Sequence, residues 1–198
     1  MEREDRIVTV PNLISVARLL CAPVFVWLLA ADEQIAAALV LGVLGATDWV
    51  DGWIARHFDQ GSSLGKVLDP VADRVLLLVA AVALLVDGSV PIVVGVLVLA
   101  REFVVSIAVL ALAVAGARRI DVQWAGKAGT LSVMFAFPLF LLADNIDTGH
   151  SLVLAAAWFF AVAGLVLGYY AAIRYLPMAR DALEESRVQP ATPERVAS

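Results

Sequence analysis

The sequence predicts an all-α, polytopic membrane protein with six transmembrane helices. Of the 198 residues, 62% are hydrophobic and only 17% are charged, a balance that soluble domains rarely reach. Six apolar windows are each long enough to cross a hydrocarbon layer about 30 Å thick. None of them alternates like a barrel strand, and only helices satisfy their backbone hydrogen bonds within a single segment in lipid. The expected architecture is therefore a helical bundle.

Polar or turn residues bound each of the predicted helices. The helices occupy residues 10–31, 35–57, 65–86, 90–115, 124–143 and 151–176. Gly164 and Gly168 are four residues apart on the last helix, a spacing that favours close helix packing. We expect residues 1–176 to form the membrane domain and residues 177–198 to form a polar cytoplasmic tail.

Basic residues are distributed asymmetrically around the predicted helices. They precede the first helix, flank the second and fourth connections and follow the last helix, whereas the other connections carry acids without Lys or Arg. By the positive-inside rule, both termini and the second and fourth connections are cytoplasmic. The expected location is the plasma membrane, with the charged cluster described next on its cytoplasmic side.

Apart from the bases near the helix ends, eight charged side chains fall inside the predicted helices: Arg18, Asp48, Asp51, Asp69, Asp73, Arg74, Arg101 and Glu102. On an insertion scale each costs about 2.5–3.5 kcal/mol at a helix centre. One interpretation is that the aspartates and arginines form buried structural salt bridges. A functional site is the favoured interpretation, because ionisable clusters inside membranes mark substrate and ion pathways.

Four of the acids have a spacing that predicts a shared site. Asp48 and Asp51 are three residues apart on the second helix, and Asp69 and Asp73 are four apart on the third. A short polar hairpin between these helices would bring the carboxylates together at the cytoplasmic interface. Close carboxylates need cations to be ionised together, and oxygen ligands favour Mg²⁺, Mn²⁺ or Ca²⁺. Two such ions could clamp a pyrophosphate during phosphoryl transfer.

Small residues accompany the aspartates on the same helix faces. Gly52, Ala55 and Gly65 lack bulk there, which leaves room for a flat or phosphorylated ligand, with Arg56 as a phosphate partner. Ordinary helix packing explains any one of these small residues, but it explains all three in register poorly.

These residues together form the pattern D-x2-D-G-x2-A-R-x8-G-x3-D-x3-D, written DWVDGWIAR, HFDQGSSL and GKVLDPVAD in this chain. The pattern resembles the complete signature of the CDP-alcohol phosphotransferase family. All eight fixed positions match over the 26 residues from Asp48 to Asp73. The six-helix outline resembles the family along nearly the whole chain.

The resemblance implies a metal-dependent enzyme of phospholipid biosynthesis. Such an enzyme transfers a phosphatidyl group from CDP-diacylglycerol to an alcohol and releases CMP. The family also implies a homodimer, whereas no nucleic-acid partner is expected. By the same resemblance, two ions of Mg²⁺ or Mn²⁺ are held by Asp48, Asp51, Asp69 and Asp73. Asp73 also acts as the base for the acceptor hydroxyl, and the CDP portion is held by Gly52, Ala55, Arg56 and Gly65.

Two further segments resemble one branch of the family. The opening TVPNLISVARLLCAPVFVWLL and the REF at residues 101–103 are similar to phosphatidylglycerophosphate synthases and the related cardiolipin synthases. Arg101 and Lys127 are therefore candidates for binding the acceptor phosphate. The alternatives are that Arg101 is a counter-ion to the aspartates and that Lys127 is a positive-inside anchor.

The segment around Lys127 bears on the choice of acceptor. It reads GKAGT, with Gly129 at the second basic position of the G-K-x-K-T that is usual in phosphatidylglycerophosphate synthases. Loss of one phosphate contact favours phosphatidylglycerol, a diester, over the dianion glycerol 3-phosphate, which remains the alternative. The stretch at residues 122–144 also resembles actinobacterial cardiolipin synthases. No feature singles out inositol phosphate or serine.

Two functions of other classes are compatible with buried carboxylates. A cation-coupled transporter would more often hold them near the midplane on broken helices, often with internal repeats, and the sequence shows no repeat. A non-catalytic membrane scaffold would tolerate Asp73→Asn with its function intact, whereas an enzyme would stay folded and lose turnover.

Overall fold

The computed structural model describes residues 10–58, 65–114 and 124–188, with side chains at residues 12–47, 71–108 and 124–174. In this part of the chain the structure contains six α-helices and no strand, so the prediction of an all-α fold with six helices is confirmed. The helices are α1 Val10–Ala30, α2 Gln34–Phe58, α3 Gly65–Asp87, α4 Ile92–Val114, α5 Trp124–Ala143 and α6 His150–Val188. The predicted boundary between membrane domain and tail, at residue 176, falls inside α6.

Three short turns join the helices at one end of the bundle. They follow α1, α3 and α5, and they contain Asp32, Gly88 and Gly149 with φ values of 60°, 87° and 85°. Glycine adopts this left-handed conformation without steric cost, and aspartate tolerates it. The N–H of Gly88 donates to the carbonyl oxygen of Leu84 at 3.0 Å, which satisfies a carbonyl in the last turn of α3.

Contacts near both ends of helix pairs establish the direction of each helix. Near the beginnings of α1 and α3, Arg18 contacts Asp73, and at the ends of the same helices Ala30 and Asp87 line one groove. The two helices therefore run in the same direction.

Three other helix pairs are antiparallel. For α3 and α4, Arg74 contacts Ser106 and Leu85 lies against Gly95. For α2 and α5, Gly45 lies against Met134 and Gln34 contacts Asn145, just after α5. For α5 and α6, Gly129 lies against Gly168 and Phe140 contacts Trp158. Helices α1, α3 and α5 thus begin at one end, here called the N-terminal end of the bundle. The three short turns lie at the opposite end.

Helix α1 has two contrasting faces. Its buried face, which packs against α2 and α3, consists of Asn12, Ser15, Arg18, Ala22, Phe25 and Leu29. Its exposed face carries Leu13, Val16, Leu20, Val24 and Trp27. Spacings of three and four residues place each set along one side of the helix. An exposed apolar stripe of this length is typical of a helix that faces lipid.

Three helical segments of the described chain qualify by length and composition as membrane spans. They are Asn12–Ala30, Trp124–Ala143 and His150–Arg174, and Gln34–Thr47 is a shorter apolar helix. Membrane insertion of these three is consistent with the sequence analysis. Six transmembrane crossings, and the side on which the termini lie, stay predictions.

Helices α5 and α6 approach each other at three glycines. A Cβ atom on Gly129 would lie 2.8 Å from the backbone nitrogen of Gly168 and 2.9 Å from the carbonyl oxygen of Gly164. The predicted close packing at Gly164 and Gly168 is therefore confirmed, with Gly129 as the partner across the interface. Close contact of backbones is a main source of helix association in lipid.

We expect Gly129→Ala to destabilise the protein by about 1–3 kcal/mol, because the new methyl group would overlap backbone atoms that cannot rotate away. Thermal unfolding of the purified protein in detergent measures this as a lower Tm. Gly42→Ala is the matched control, since a Cβ atom there would lie 3.8 Å from Cβ of Pro138, an ordinary contact. The control should unfold at or above the wild-type temperature, and equal Tm values for both variants would contradict the close-contact interpretation.

Candidate active site

The four predicted metal-binding aspartates belong to helix segments at the N-terminal end of the bundle. Asp48 and Asp51 lie in the second half of α2, and Asp69 and Asp73 lie in the first half of α3. Because α2 ends where α3 begins, both pairs share one end of the molecule. The side chains of Asp48, Asp51 and Asp69 fall outside the part that the structure describes. Convergence of the four carboxylates therefore stays a prediction.

The predicted CDP-binding residues belong to the same two helices. Gly52, Ala55 and Arg56 continue α2 beyond the aspartates, and Gly65 is the first residue of α3. Their side-chain positions are not among those that the structure describes. The described part of the structure therefore does not test their role in binding the nucleotide, which stays a prediction.

Asp73 is the site aspartate whose side-chain contacts the structure describes. Its Oδ1 accepts a hydrogen bond from Nη1 of Arg18. The Arg18 side chain is 1% exposed, whereas Asp73 keeps 28% of its side chain exposed. The interpretation as a salt bridge is thus correct for these two residues. The Asp73 side chain nevertheless stays partly accessible.

Arg18 belongs to a polar stripe on the buried face of α1. Asn12, Ser15 and Arg18 follow one another at intervals of three residues, and all three are buried. Each of these three residues has an interaction partner. Arg18 was expected from the sequence as a charged residue inside the membrane, whereas Asn12 and Ser15 were not expected. The available signal was the regular recurrence of polar side chains on one face of an otherwise apolar helix.

A second charged cluster joins α3 and α4. Glu102 is buried and accepts a hydrogen bond from Nη1 of Arg101. Oε2 of Glu102 also lies 3.4 Å from Nε of Arg74, which in turn donates from Nη1 to Ser106 Oγ at 3.1 Å. Among the described side chains, Arg74 and Arg101 share the carboxylate of Glu102.

Arg101 extends this cluster to α5 and α6. It donates to Oγ1 of Thr130 at 3.0 Å and to the carbonyl oxygen of Gly126 at 3.2 Å. It also packs on Gly168, where a Cβ atom would lie 2.8 Å from its Nε. Among the described residues, the carboxylate that Arg101 contacts is Glu102. This buried arginine therefore connects three helices.

Lys127 lies in the first turn of α5 and is exposed. Its neighbour Gly126 is held by Arg101, so the structure brings the two predicted acceptor-binding residues to the same turn. Gly129, in contrast to the exposed Lys127, faces the backbone of α6 at contact distance. A basic side chain at position 129 has no room in this arrangement. The α5–α6 contact thus accounts physically for the missing second base.

The donor set suits a divalent cation of the hard type. Among the side chains that the structure describes, no three His, Cys, Asp or Glu residues are grouped as ligands. The predicted ligands are four aspartates on two helices that meet at one end of the bundle. Carboxylate oxygens are the ligands that Mg²⁺ and Mn²⁺ prefer, so this donor set fits either ion.

Comparison with known proteins identifies the family. The profile for CDP-alcohol phosphatidyltransferase matches residues 8–169. A cardiolipin synthase (CMP-forming) from Streptomyces coelicolor is 38% identical over 182 residues, which cover 89% of this chain and 85% of the relative. A putative cardiolipin synthase from Mycobacterium bovis is 32% identical over 173 residues, covering 87% of this chain and 83% of the relative.

A relative with a different named activity has a similar level of identity. The CDP-diacylglycerol–glycerol-3-phosphate 3-phosphatidyltransferase of Escherichia coli K12 is 33% identical over 186 residues, which cover 89% of this chain and 98% of the relative. The signature residues, the helical architecture and the extent of these matches agree. The chain belongs to the CDP-alcohol phosphatidyltransferase family, a family of enzymes of phospholipid synthesis.

Proposed function

We propose that this enzyme transfers the phosphatidyl group of CDP-diacylglycerol to phosphatidylglycerol, which yields cardiolipin and CMP. The observation that carries the choice of acceptor is the contact of Gly129 with the α6 backbone, because it leaves Lys127 as the base of the GKAGT segment. One base matches the single charge of a phosphodiester. The similarity to the cardiolipin synthase of Streptomyces coelicolor supports the same choice.

Glycerol 3-phosphate is the second candidate acceptor. It is favoured by the 33% identity to the Escherichia coli enzyme whose name specifies that substrate. A dianionic phosphate would be expected to need a second cation close to Lys127. Arg101 is the nearby candidate, but its side chain is buried and donates to Glu102, Thr130 and Gly126. This arrangement favours the diester.

The reaction proposed at the site is a single displacement at phosphorus. The acceptor hydroxyl oxygen forms a bond to the phosphorus that carries diacylglycerol, the bond from that phosphorus to the oxygen of CMP breaks, and CMP leaves. Asp73 accepts the hydroxyl proton, a role that suits its partly exposed carboxylate. Mg²⁺ or Mn²⁺, expected as two ions held by the four aspartates, would stabilise the charge on the attacking and leaving oxygens when bound.

Each group of site residues has a distinct role in this proposal. Asp48, Asp51, Asp69 and Asp73 hold the metal, and Gly52, Ala55, Arg56 and Gly65 hold the CDP portion. Lys127 binds the phosphate of the acceptor from an exposed position. Arg101, the other predicted acceptor-binding residue, holds the turn that carries Lys127 through its bond to the Gly126 carbonyl.

We further propose six membrane crossings with both termini and the active site on the cytoplasmic side of the plasma membrane. This orientation is supported by the acidic residues at the opposite end of the bundle. The short turns there contain or adjoin Asp32, Glu33, Asp87, Asp144 and Asp147. The positive-inside rule assigns connections without Lys or Arg to the outer side. A homodimer is proposed from the family resemblance alone.

The acceptor assignment predicts which alcohol supports CMP release. The purified protein should release CMP from CDP-diacylglycerol with phosphatidylglycerol, in the presence of Mg²⁺ or Mn²⁺, and chelation of the metal should abolish release. Glycerol 3-phosphate and inositol phosphate are offered separately for comparison. Release with glycerol 3-phosphate alone would contradict the proposal and establish the second candidate.

Asp73→Asn should lower kcat by about 10²-fold or more, because a general base contributes roughly 10²–10⁴-fold. The amide oxygen can still accept the hydrogen bond from Arg18, so the protein should remain folded and keep its affinity for CDP-diacylglycerol. Steady-state CMP release and thermal unfolding measure both properties. Asp144→Asn, an exposed change at the opposite end, is the control and should retain wild-type turnover. Wild-type turnover of Asp73→Asn would exclude its role as the base.

Lys127→Ala should raise the KM for phosphatidylglycerol about tenfold or more, since a hydrogen bond to a charged group contributes roughly 1.5–3 kcal/mol. The KM for CDP-diacylglycerol should change little, because the nucleotide is assigned to α2 and α3. Arg174→Ala provides an exposed basic control on α6. Equal changes in both KM values for Lys127→Ala would remove Lys127 from the acceptor site.

A further inference from the structure

We propose that Thr130 is a positioning residue for Lys127. Its hydroxyl joins the buried guanidinium of Arg101, on α4, to the first turn of α5, which carries Lys127. This inference rests on the proposed function, in which Lys127 binds the phosphate of the acceptor.

Two hydrogen bonds at the Thr130 hydroxyl make this connection. Nη1 of Arg101 donates to Oγ1 of Thr130 at 3.0 Å, and the hydroxyl donates to the carbonyl oxygen of Gly126 at 3.1 Å. The second bond is the ordinary bond of a helical threonine to the carbonyl four residues before it. The first bond comes from another helix and ties this threonine to the rest of the bundle. Nη2 of Arg101 donates to the same Gly126 carbonyl at 3.2 Å, so the guanidinium and the hydroxyl hold one turn together.

Arg101 is a firmly held anchor for these bonds. It is 7% exposed, and the Glu102 carboxylate accepts a hydrogen bond from it. Its guanidinium also lies against Gly168 on α6, where a Cβ atom would be 2.8 Å from Nε and 3.2 Å from Cζ. Displacing a buried arginine from a carboxylate is costly, because it leaves charges unpaired in an apolar bundle. Contacts on α4 and α6 therefore fix Arg101, and Thr130 connects α5 to it.

The first turn of α5 needs a connection outside its own helix. The helix begins at Trp124, and Lys127 is its fourth residue and is exposed. The first four N–H groups of a helix have no partner within it, and terminal turns open most readily. The long, flexible lysine stem adds no fixed direction of its own. The location of the Lys127 ammonium group therefore depends on how firmly the backbone of this turn is held.

The first test compares Thr130→Val with Thr130→Ser in the purified full-length protein. Thr130→Val keeps the branched shape and removes the hydroxyl, so the KM for phosphatidylglycerol should rise about fivefold, less than the loss of a whole bond to a charged group. The KM for CDP-diacylglycerol and kcat should stay within about twofold, because only acceptor binding is weakened. Thr130→Ser keeps the hydroxyl and should return the KM for phosphatidylglycerol to within about twofold of the wild type.

A double-mutant cycle tests whether Thr130 acts through Lys127. In the Lys127→Ala background, adding Thr130→Val should change the KM for phosphatidylglycerol by less than about twofold, because the side chain that Thr130 positions is already gone.

Ser106→Ala is the matched control, because the Ser106 hydroxyl makes the same two kinds of bond on α4. It accepts from Nη1 of Arg74 at 3.1 Å and donates to the carbonyl oxygen of Glu102 at 2.7 Å. Both partners lie outside α5. Ser106→Ala should lower Tm, as Thr130→Val does, while the KM for phosphatidylglycerol stays at the wild-type value.

Hydrogen exchange of backbone amides gives a readout independent of turnover. The amides of residues 128–131, whose helical partners are the carbonyls of residues 124–127, should exchange about fivefold faster in Thr130→Val, because the first turn opens more often. Ser106→Ala should leave their exchange unchanged.

A KM for phosphatidylglycerol within about twofold of the wild type in Thr130→Val, or an equal rise in the Lys127→Ala background, would overturn the inference. A wild-type protein that releases no CMP with phosphatidylglycerol would refute the proposed acceptor instead. Unchanged exchange of residues 128–131 in Thr130→Val would then still refute the role of Thr130.

Discussion

Ion pairing inside an apolar bundle is the interaction on which the N-terminal end of this structure depends. Arg18 pairs with Asp73 between α1 and α3, and Glu102 on α4 lies against Arg74 on α3. An unpaired charge in such surroundings would cost several kcal/mol. These pairs therefore fix α1, α3 and α4 relative to one another and define the surroundings of Asp73.

The contact between α5 and α6 connects helix packing with the side chains that the first turns of α5 can carry. Gly168 provides the space that Arg101 occupies, and Gly129 lets the two helix backbones approach closely. Because the backbone of α6 fills the space beside Gly129, a basic side chain has no room at position 129. The same close contact thus holds α5 against α6 and excludes a second base from the segment to which the proposal assigns the acceptor.

The two ends of the bundle have different compositions that suit a lipid-modifying enzyme. Short turns with acidic residues close one end, and the charged clusters and the signature helices occupy the other. The exposed apolar face of α1 extends along its length, as is typical of a helix that faces lipid. A nucleotide from water and a diacylglycerol chain from the bilayer can meet only where such surfaces adjoin.

The sequence by itself determined the fold class, the number and approximate bounds of the helices in the described chain, and the family through its aspartate signature. These properties depend on local hydropathy and on fixed spacings, which are visible in the linear chain. Only the tertiary structure decided that Arg18 meets Asp73, 55 positions away, and that Arg101 on α4 donates to Thr130 and to the carbonyl oxygen of Gly126 on α5. It also decided that Gly129 faces α6. Such contacts arise from the packing of helices that are distant in sequence, and hydropathy does not specify which side chains then face one another.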